Sequence, residues 1–171
     1  MVLLGVAKLG AALVAMKMIF DIHRLGSEDT ASLRAVLSMF GKAFNEVATY
    51  TARQPDDEYL SRLLSSDTFV ALAAISGGNV IGGVTAYVLP KFEQARSELY
   101  IYDVAVDENY RRRGVATAMI RELQRLAAER GVYVIFVQAD RGDEPAIALY
   151  TKLGVREDVL HFDIRPTNSA A

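Results

Sequence analysis

The chain contains no cysteine and only two histidines, His23 and His161. The first absence removes a disulfide framework, a cysteine nucleophile and every thiolate metal site. Two imidazoles so far apart in sequence make a weak case for zinc. Prolines are few, four in all, and charged residues are ordinary in number at 23%, which is a globular composition. No excess of either charge is present. The net charge of -2 argues against a general nucleic-acid binder, although a local basic loop remains open. Long hydrophobic runs are missing too. The apolar start "MVLLGVAKLGAALVA" is shorter than the about 20 residues a bilayer span needs. As a signal peptide it lacks a basic beginning and a small-x-small cleavage site. Neither nucleotide loop, GxxxxGK[ST] or GxGxxG, occurs.

What is there fits one domain with a proper core in 171 residues. Residues 1–15 read as an apolar extension or an added helix, 16–165 as the single domain, and 166–171 as a polar tail. "MIFDIHRL" reads as a strand. "SEDTASLRAVLSMFGKAFNE" reads as a helix with Ser27 as N-cap and a stripe of Leu33, Val36, Leu37 and Phe40. "QPDDEYLSRLLSS" is a second helix, "TFVALAAI" and "VIGGVTAYVL" a hairpin about "SGGN", and "SELYIYDVAV" a long central strand. After it come a helix from Gly114, a buried strand "VYVIFVQAD", a short helix "DEPAIALYTKLG" and a last strand "VREDVLHFDI". This order implies an α/β fold: a mixed sheet with helices on both faces.

The stretch "NYRRRGVATAMIRELQRLAAERG" raises an electrostatic question. Val115, Ala118, Met119, Leu123, Leu126 and Ala127 recur at helical spacing. Arg111, Arg112 and Arg113 stand just before the first turn, where the helix already carries partial positive charge. An anion would reverse that penalty. A strand, a short loop and a helix opening on glycine present backbone N–H groups to phosphate, and charge-assisted contacts to phosphate are strong. A solvated arginine cluster is the competing reading.

"RRRGVA" resembles the (Q/R)xxGx(G/A) signature of the GNAT superfamily of acyl-CoA-dependent N-acetyltransferases. It follows the strand ending "YDVAV" and precedes "ALYTKLG" in the order that superfamily uses. "YVLPKFEQARSELYIYDVAV", "VQADRGDEPAIALYTKLGVRED" and "HFDI" are similar to the gentamicin (fortimicin) class of aminoglycoside 3-N-acetyltransferases. The resemblance runs over nearly the whole chain from Met18 and leaves out the first fifteen residues. It implies the GNAT fold, with a mixed, mostly antiparallel sheet, and acetyl-CoA as co-substrate with no metal. It further implies that backbone groups of Val104, Ala105 and Val106 hold the pantetheine arm, with an N–H near Val104 polarising the thioester carbonyl. The N–H groups from Arg112 through Gly114, Val115 and Ala116 to Thr117 cradle the pyrophosphate, and arginine side chains, Arg111 among them, reach the remaining phosphate. Tyr150 matches the tyrosine that protonates the leaving thiolate; without the resemblance it reads as a packed helix aromatic.

The chemistry asks for one more group, a base for the substrate ammonium. Asp103 interrupts an apolar strand where aspartate is disfavoured, and it is the candidate; a structural aspartate at a bulge is the alternative. Glu98 is the reserve, on the opposite face unless a bulge intervenes. Between Asp140 and Asp163 six acids, Asp140, Asp143, Glu144, Glu157, Asp158 and Asp163, face three bases. Asp140, Asp143 and Glu144 suit a polycationic acceptor such as an aminoglycoside or a polyamine, and equally suit helix capping. Tyr50, Tyr100 and Tyr102 are candidates to line a sugar cleft. "YVLPKFEQARSE" reads as a cleft-bordering loop that exposes Lys91 and Glu93. The expected enzyme is cytoplasmic and homodimeric, with no nucleic-acid or membrane partner.

Overall fold

The computed structural model describes residues 20–166. The readings for the 1–15 extension and most of the 166–171 tail lie outside those residues. The chain groups into two compact units divided between Val137 and Gln138. The first holds β1 (Asp21–Arg24), α1 (Thr30–Ala43), α2 (Val47–Thr51), α3 (Asp57–Leu64), β2 (Phe69–Ser76), β3 (Asn79–Pro90), β4 (Ser97–Val106), α4 (Val115–Glu129) and β5 (Val132–Val137). A single 3-10 turn, Glu108–Tyr110, precedes α4. The second unit holds α5 (Glu144–Thr151).

The sheet runs β1-β2-β3-β4-β5. Its first three pairings are antiparallel and β4–β5 is parallel, with α4 as the crossover that a parallel pair requires. It is therefore mixed and mostly antiparallel, as expected. Two adjacent glycines in β3 show how helices cover both faces. A Cβ on Gly83 would stand 2.6 Å from Val36 Cγ1 of α1, and one on Gly82 would stand 3.1 Å from Val115 Cγ1 of α4. Alternation sends the two positions to opposite faces, so α1 and α4 close on the sheet from either side at the same point. Under α1 the core is Leu33, Val36, Met39 and Phe40 with Leu60 and Leu64 of α3. α4 buries Val115, Met119, Ile120, Leu123, Leu126 and Ala127, the expected stripe with Ile120 in place of Ala118.

Four expectations need correction. α1 starts at Thr30, not near Ser27; Asp29 holds the cap position and its carboxylate accepts from the Gly26 N–H at 2.8 Å. Helix α2 was not expected, because Val47, Thr49 and Thr51 are β-branched and weak helix formers. β5 ends at Val137 and is not fully buried, with Tyr133, Val134 and Phe136 each 38–47% exposed. It is the last strand of the sheet. Residues 155–164 form no strand: Leu160, Phe162 and Ile164 alternate as a strand would, but alternation without a ladder partner does not make one.

Candidate active site

The site begins with an irregularity in β4. Thr85 pairs with Asp103, but the next residue, Ala86, pairs with Ile101. Tyr102 is thus the extra residue of a β-bulge, a device that re-aims side chains. Asp103, Tyr100 and Glu98 oppose Thr85, Tyr87 and Leu89, which are every second residue of β3. All three therefore lie on the α1 face, and the bulge brings Glu98 to the same side as Asp103. Tyr102, 62% exposed, sets its ring 5.6 Å from Tyr87 and 5.9 Å from Tyr100. Phe69 lies beyond Tyr87 at 5.3 Å and Phe136 beyond Tyr100 at 4.9 Å. Five rings make one aromatic strip across four strands.

Below the bulge β4 loses its parallel neighbour. Pairing with β5 stops at Ile101↔Val137. Val104, Ala105 and Val106 continue with β3 as their ladder partner among the described residues. The Val106 carbonyl accepts from Arg111 Nε at 3.2 Å, which ties the arginine turn to the end of the strand.

That turn is built from backbone. Arg112 sits at φ +62° and Gly114 at φ +83°, left-handed positions that cost little only for glycine. No side chain caps α4, and its first internal bond joins the Ala118 N–H to the Gly114 carbonyl. The N–H groups of Val115, Ala116 and Thr117 precede that bond and have no partner within the helix. Arg113 lies over the Tyr110 ring at 5.5 Å, and all three arginines are exposed. Open N–H donors, a helix dipole and adjacent cations fit a diphosphate.

Asp103 is half-buried and accepts from the Tyr50 hydroxyl at 3.1 Å. Burial pushes its carboxyl above the usual carboxylate range, and the Tyr50 bond pulls the other way. Burial and the Asp103 charge raise the Tyr50 hydroxyl in turn. Tyr50 comes from α2, 53 positions away. Sequence reasoning treated it as a cleft aromatic and missed this bond. Its one signal was a tyrosine at the end of a polar stretch.

Glu98 is already engaged. Lys91 Nζ stands 3.3 Å from it, and the Tyr133 hydroxyl donates to the same carboxylate. The tyrosine bond is the main cause holding Glu98 below its ordinary value. Lys91 also reaches Glu93 at 3.7 Å, so Lys91 is only half-exposed rather than free.

In the second unit, Asp143 caps α5 through the Ala146 N–H at 3.1 Å, and Glu144 occupies the first turn. The capping reading is therefore realised at Asp143, while Glu144 faces the positive end of the helix dipole. Asp140 is exposed, and its carbonyl accepts from the Asp143 N–H at 3.1 Å. Tyr150 lies on α5, its hydroxyl pushed up to about 12 by burial first and by the Asp143 carboxylate second. It remains protonated throughout the neutral range. Among the described residues no group of His, Asp and Glu is arranged to hold a metal, and no helix is long and apolar enough to cross a membrane.

A bulged strand thus parts from its parallel neighbour beside a glycine-opened helix. Residues 33–155 match the acetyltransferase (GNAT) family. The chain belongs to that family. Among solved GNAT structures, an aminoglycoside acetyltransferase from an uncultured soil metagenomic sample is 56% identical, with a TM-score of 0.86 over 88% of this chain and 100% of that one. Another soil aminoglycoside acetyltransferase, solved with sisomicin, is 29% identical with a TM-score of 0.79 over 86% of this chain and 97% of its own. A [ribosomal protein bS18]-alanine N-acetyltransferase of Escherichia coli is 31% identical over 70 residues, 41% of this chain and 47% of that protein. The chain spans about half the length of the curated relatives it matches.

Proposed function

We propose that this GNAT enzyme acetylates an amino group of a polycationic aminosugar, the 3-amino group of a gentamicin-type aminoglycoside, and so confers antibiotic resistance. The observation that carries the reading is the half-buried Asp103 carboxylate beside the aromatic strip. A carboxylate held above its ordinary pKa accepts a proton more readily than a solvated one, and exposed rings suit the flat apolar faces of sugars. The likeness to soil aminoglycoside acetyltransferases supports the acceptor class.

In this mechanism the N–H groups from Arg112 to Thr117 bind the pyrophosphate of acetyl-CoA, with Arg111, Arg112 and Arg113 adding positive charge. The backbone of Val104–Val106 aligns the pantetheine arm, and an N–H near Val104 donates to the thioester carbonyl. Asp103 takes the proton of the acceptor ammonium. The freed amine attacks the carbonyl carbon, the C–S bond breaks, and Tyr150 gives its proton to the departing thiolate. Asp140, Asp143 and Glu144 draw the cationic acceptor by charge, and Tyr102 and Glu98 contact it.

Thiol release from acetyl-CoA, measured with gentamicin, spermidine or no acceptor, tests the reading. Release with gentamicin and a product acetylated at N3 by NMR is expected. A product acetylated at another amine replaces the regiochemistry, and release with spermidine alone replaces the acceptor. Asp103→Asn is expected to lower kcat by ~10²-fold or more; an unchanged rate removes Asp103 as the base.

A further inference from the structure

The Tyr50–Asp103 bond points to a role for a residue outside the expected site. We propose that Tyr50 is a positioning residue: its hydroxyl fixes Asp103 Oδ1, orients the carboxylate so that Oδ2 receives the acceptor's proton, and sets the pH at which that carboxylate works. The inference rests on Asp103 as the base.

The placement of Tyr50 is over-determined. Its ring packs against Phe40 at 6.0 Å and Phe44 at 5.8 Å, which accounts for the ring but not for the hydroxyl. Gly41 of α1 leaves no side chain where α2 comes closest: a Cβ there would lie 3.1 Å from Val47 Cα and 3.3 Å from Tyr50 Cβ. Asn45, at φ +59°, turns the chain between the two helices. Gln54 Nε2 donates to the Tyr50 carbonyl at 3.1 Å and pins the far side. Four separate features thus aim one hydroxyl at one oxygen. Among the described residues, this is the side-chain bond that Asp103 accepts.

The groups facing the pair are all phenolic or acidic. They are Tyr102 and Tyr100 from β4, Tyr87 from β3, and Glu46, which acts on Tyr50 from the start of α2. With no cation among these groups, the phenol is the group that stabilises the charged carboxylate against the burial that opposes it.

Tyr50→Phe keeps the ring and removes the bond. Two readouts decide the matter. The first is kcat against pH at saturating acetyl-CoA and aminoglycoside. The acceptor's own titration is common to both enzymes, so only the enzyme's limb differs. The acid limb should move up by about one pH unit, the worth of one charge-assisted hydrogen bond, with the KM for acetyl-CoA unchanged. The second readout needs no substrate: 13C NMR titration of aspartate-labelled protein, with the Asp103 signal assigned by its loss in Asp103→Asn. The carboxyl should titrate at higher pH in Tyr50→Phe. An acid limb and a carboxyl titration that both stay in place, with only the amplitude of kcat reduced, overturn the inference and leave Tyr50 a packing residue. Wild-type turnover in Asp103→Asn overturns instead the reading on which it rests.

Discussion

The arginine turn and the Tyr50–Asp103 pair are built in opposite ways. The turn is contiguous: Arg111 to Thr117 supply their own donors, and the chain geometry is set by Gly114 at φ +83°. The pair is assembled across 53 positions from a short helix and a bulged strand. Backbone donors tolerate many side chains around them, whereas the carboxylate needs one partner at one distance. A site of the first kind is written in a few letters. A site of the second kind exists only when two parts of the fold meet.

Tyr150 offers the largest break in that comparison, because it lies in a contiguous stretch and its proposed role rests on the resemblance to the family. Tyr150→Phe should lower kcat by ~10²-fold without changing acetyl-CoA affinity, as measured by steady-state kinetics beside calorimetry. Its raised hydroxyl carries a stability signature as well. The folded hydroxyl sits at about 12, above the ordinary phenol value of about 10, so stability is unaffected below pH 10 and falls as pH rises towards 12. The urea midpoint of wild type should fall relative to that of Tyr150→Phe across that window.

Next in size is the turn itself. Gly114→Val puts a β-branched residue at a left-handed φ, costing roughly 1–2 kcal/mol. If binding takes up that strain, the Kd for CoA by calorimetry rises about tenfold, while the Asp103 titration stays in place. A moved titration would show the two regions to be one.

Lys91→Met asks whether Glu98 is held back from the acceptor by its ion pair. Freed of that pair, Glu98 should meet a cationic acceptor more readily, so aminoglycoside Kd should tighten about threefold. No change would leave Glu98 a loop anchor. The smallest effect is expected of Gly41→Ala. Its Cβ would press on Val47 Cα, shift α2 slightly and lengthen the Tyr50–Asp103 bond. A roughly twofold loss of kcat is expected, with the acid limb moving in the same direction as in Tyr50→Phe.

Legibility followed the same divide. β4 was readable to its ends, Ser97 and Val106, because its composition and flanking loop signals were local. So was Asp103 as an oddity within it. The bulge at Tyr102 was not readable, since a bulge is a relation between two strands. For that reason the face of Glu98 could be stated only conditionally. Helix α2 was invisible because its residues do not favour a helix; packing under Gly41 makes one of them. The final segment failed in the other direction. Its alternation satisfied the local rule, but no strand among the described residues pairs with it.

The paired glycines of β3 have a consequence for how a mutational map of this enzyme is to be interpreted. Gly82 and Gly83 each lie under a different helix, with space for hydrogen and little more. A side chain at Gly83 would collide with Val36, and one at Gly82 would crowd Val115 and Met119, so substitutions at either position should lower the yield of folded protein. Neither glycine is assigned any contact with substrate. A scan scored by activity alone would therefore mark the middle of β3 as an active site, and only a variant-by-variant measure of folded protein would separate the clamp from the chemistry.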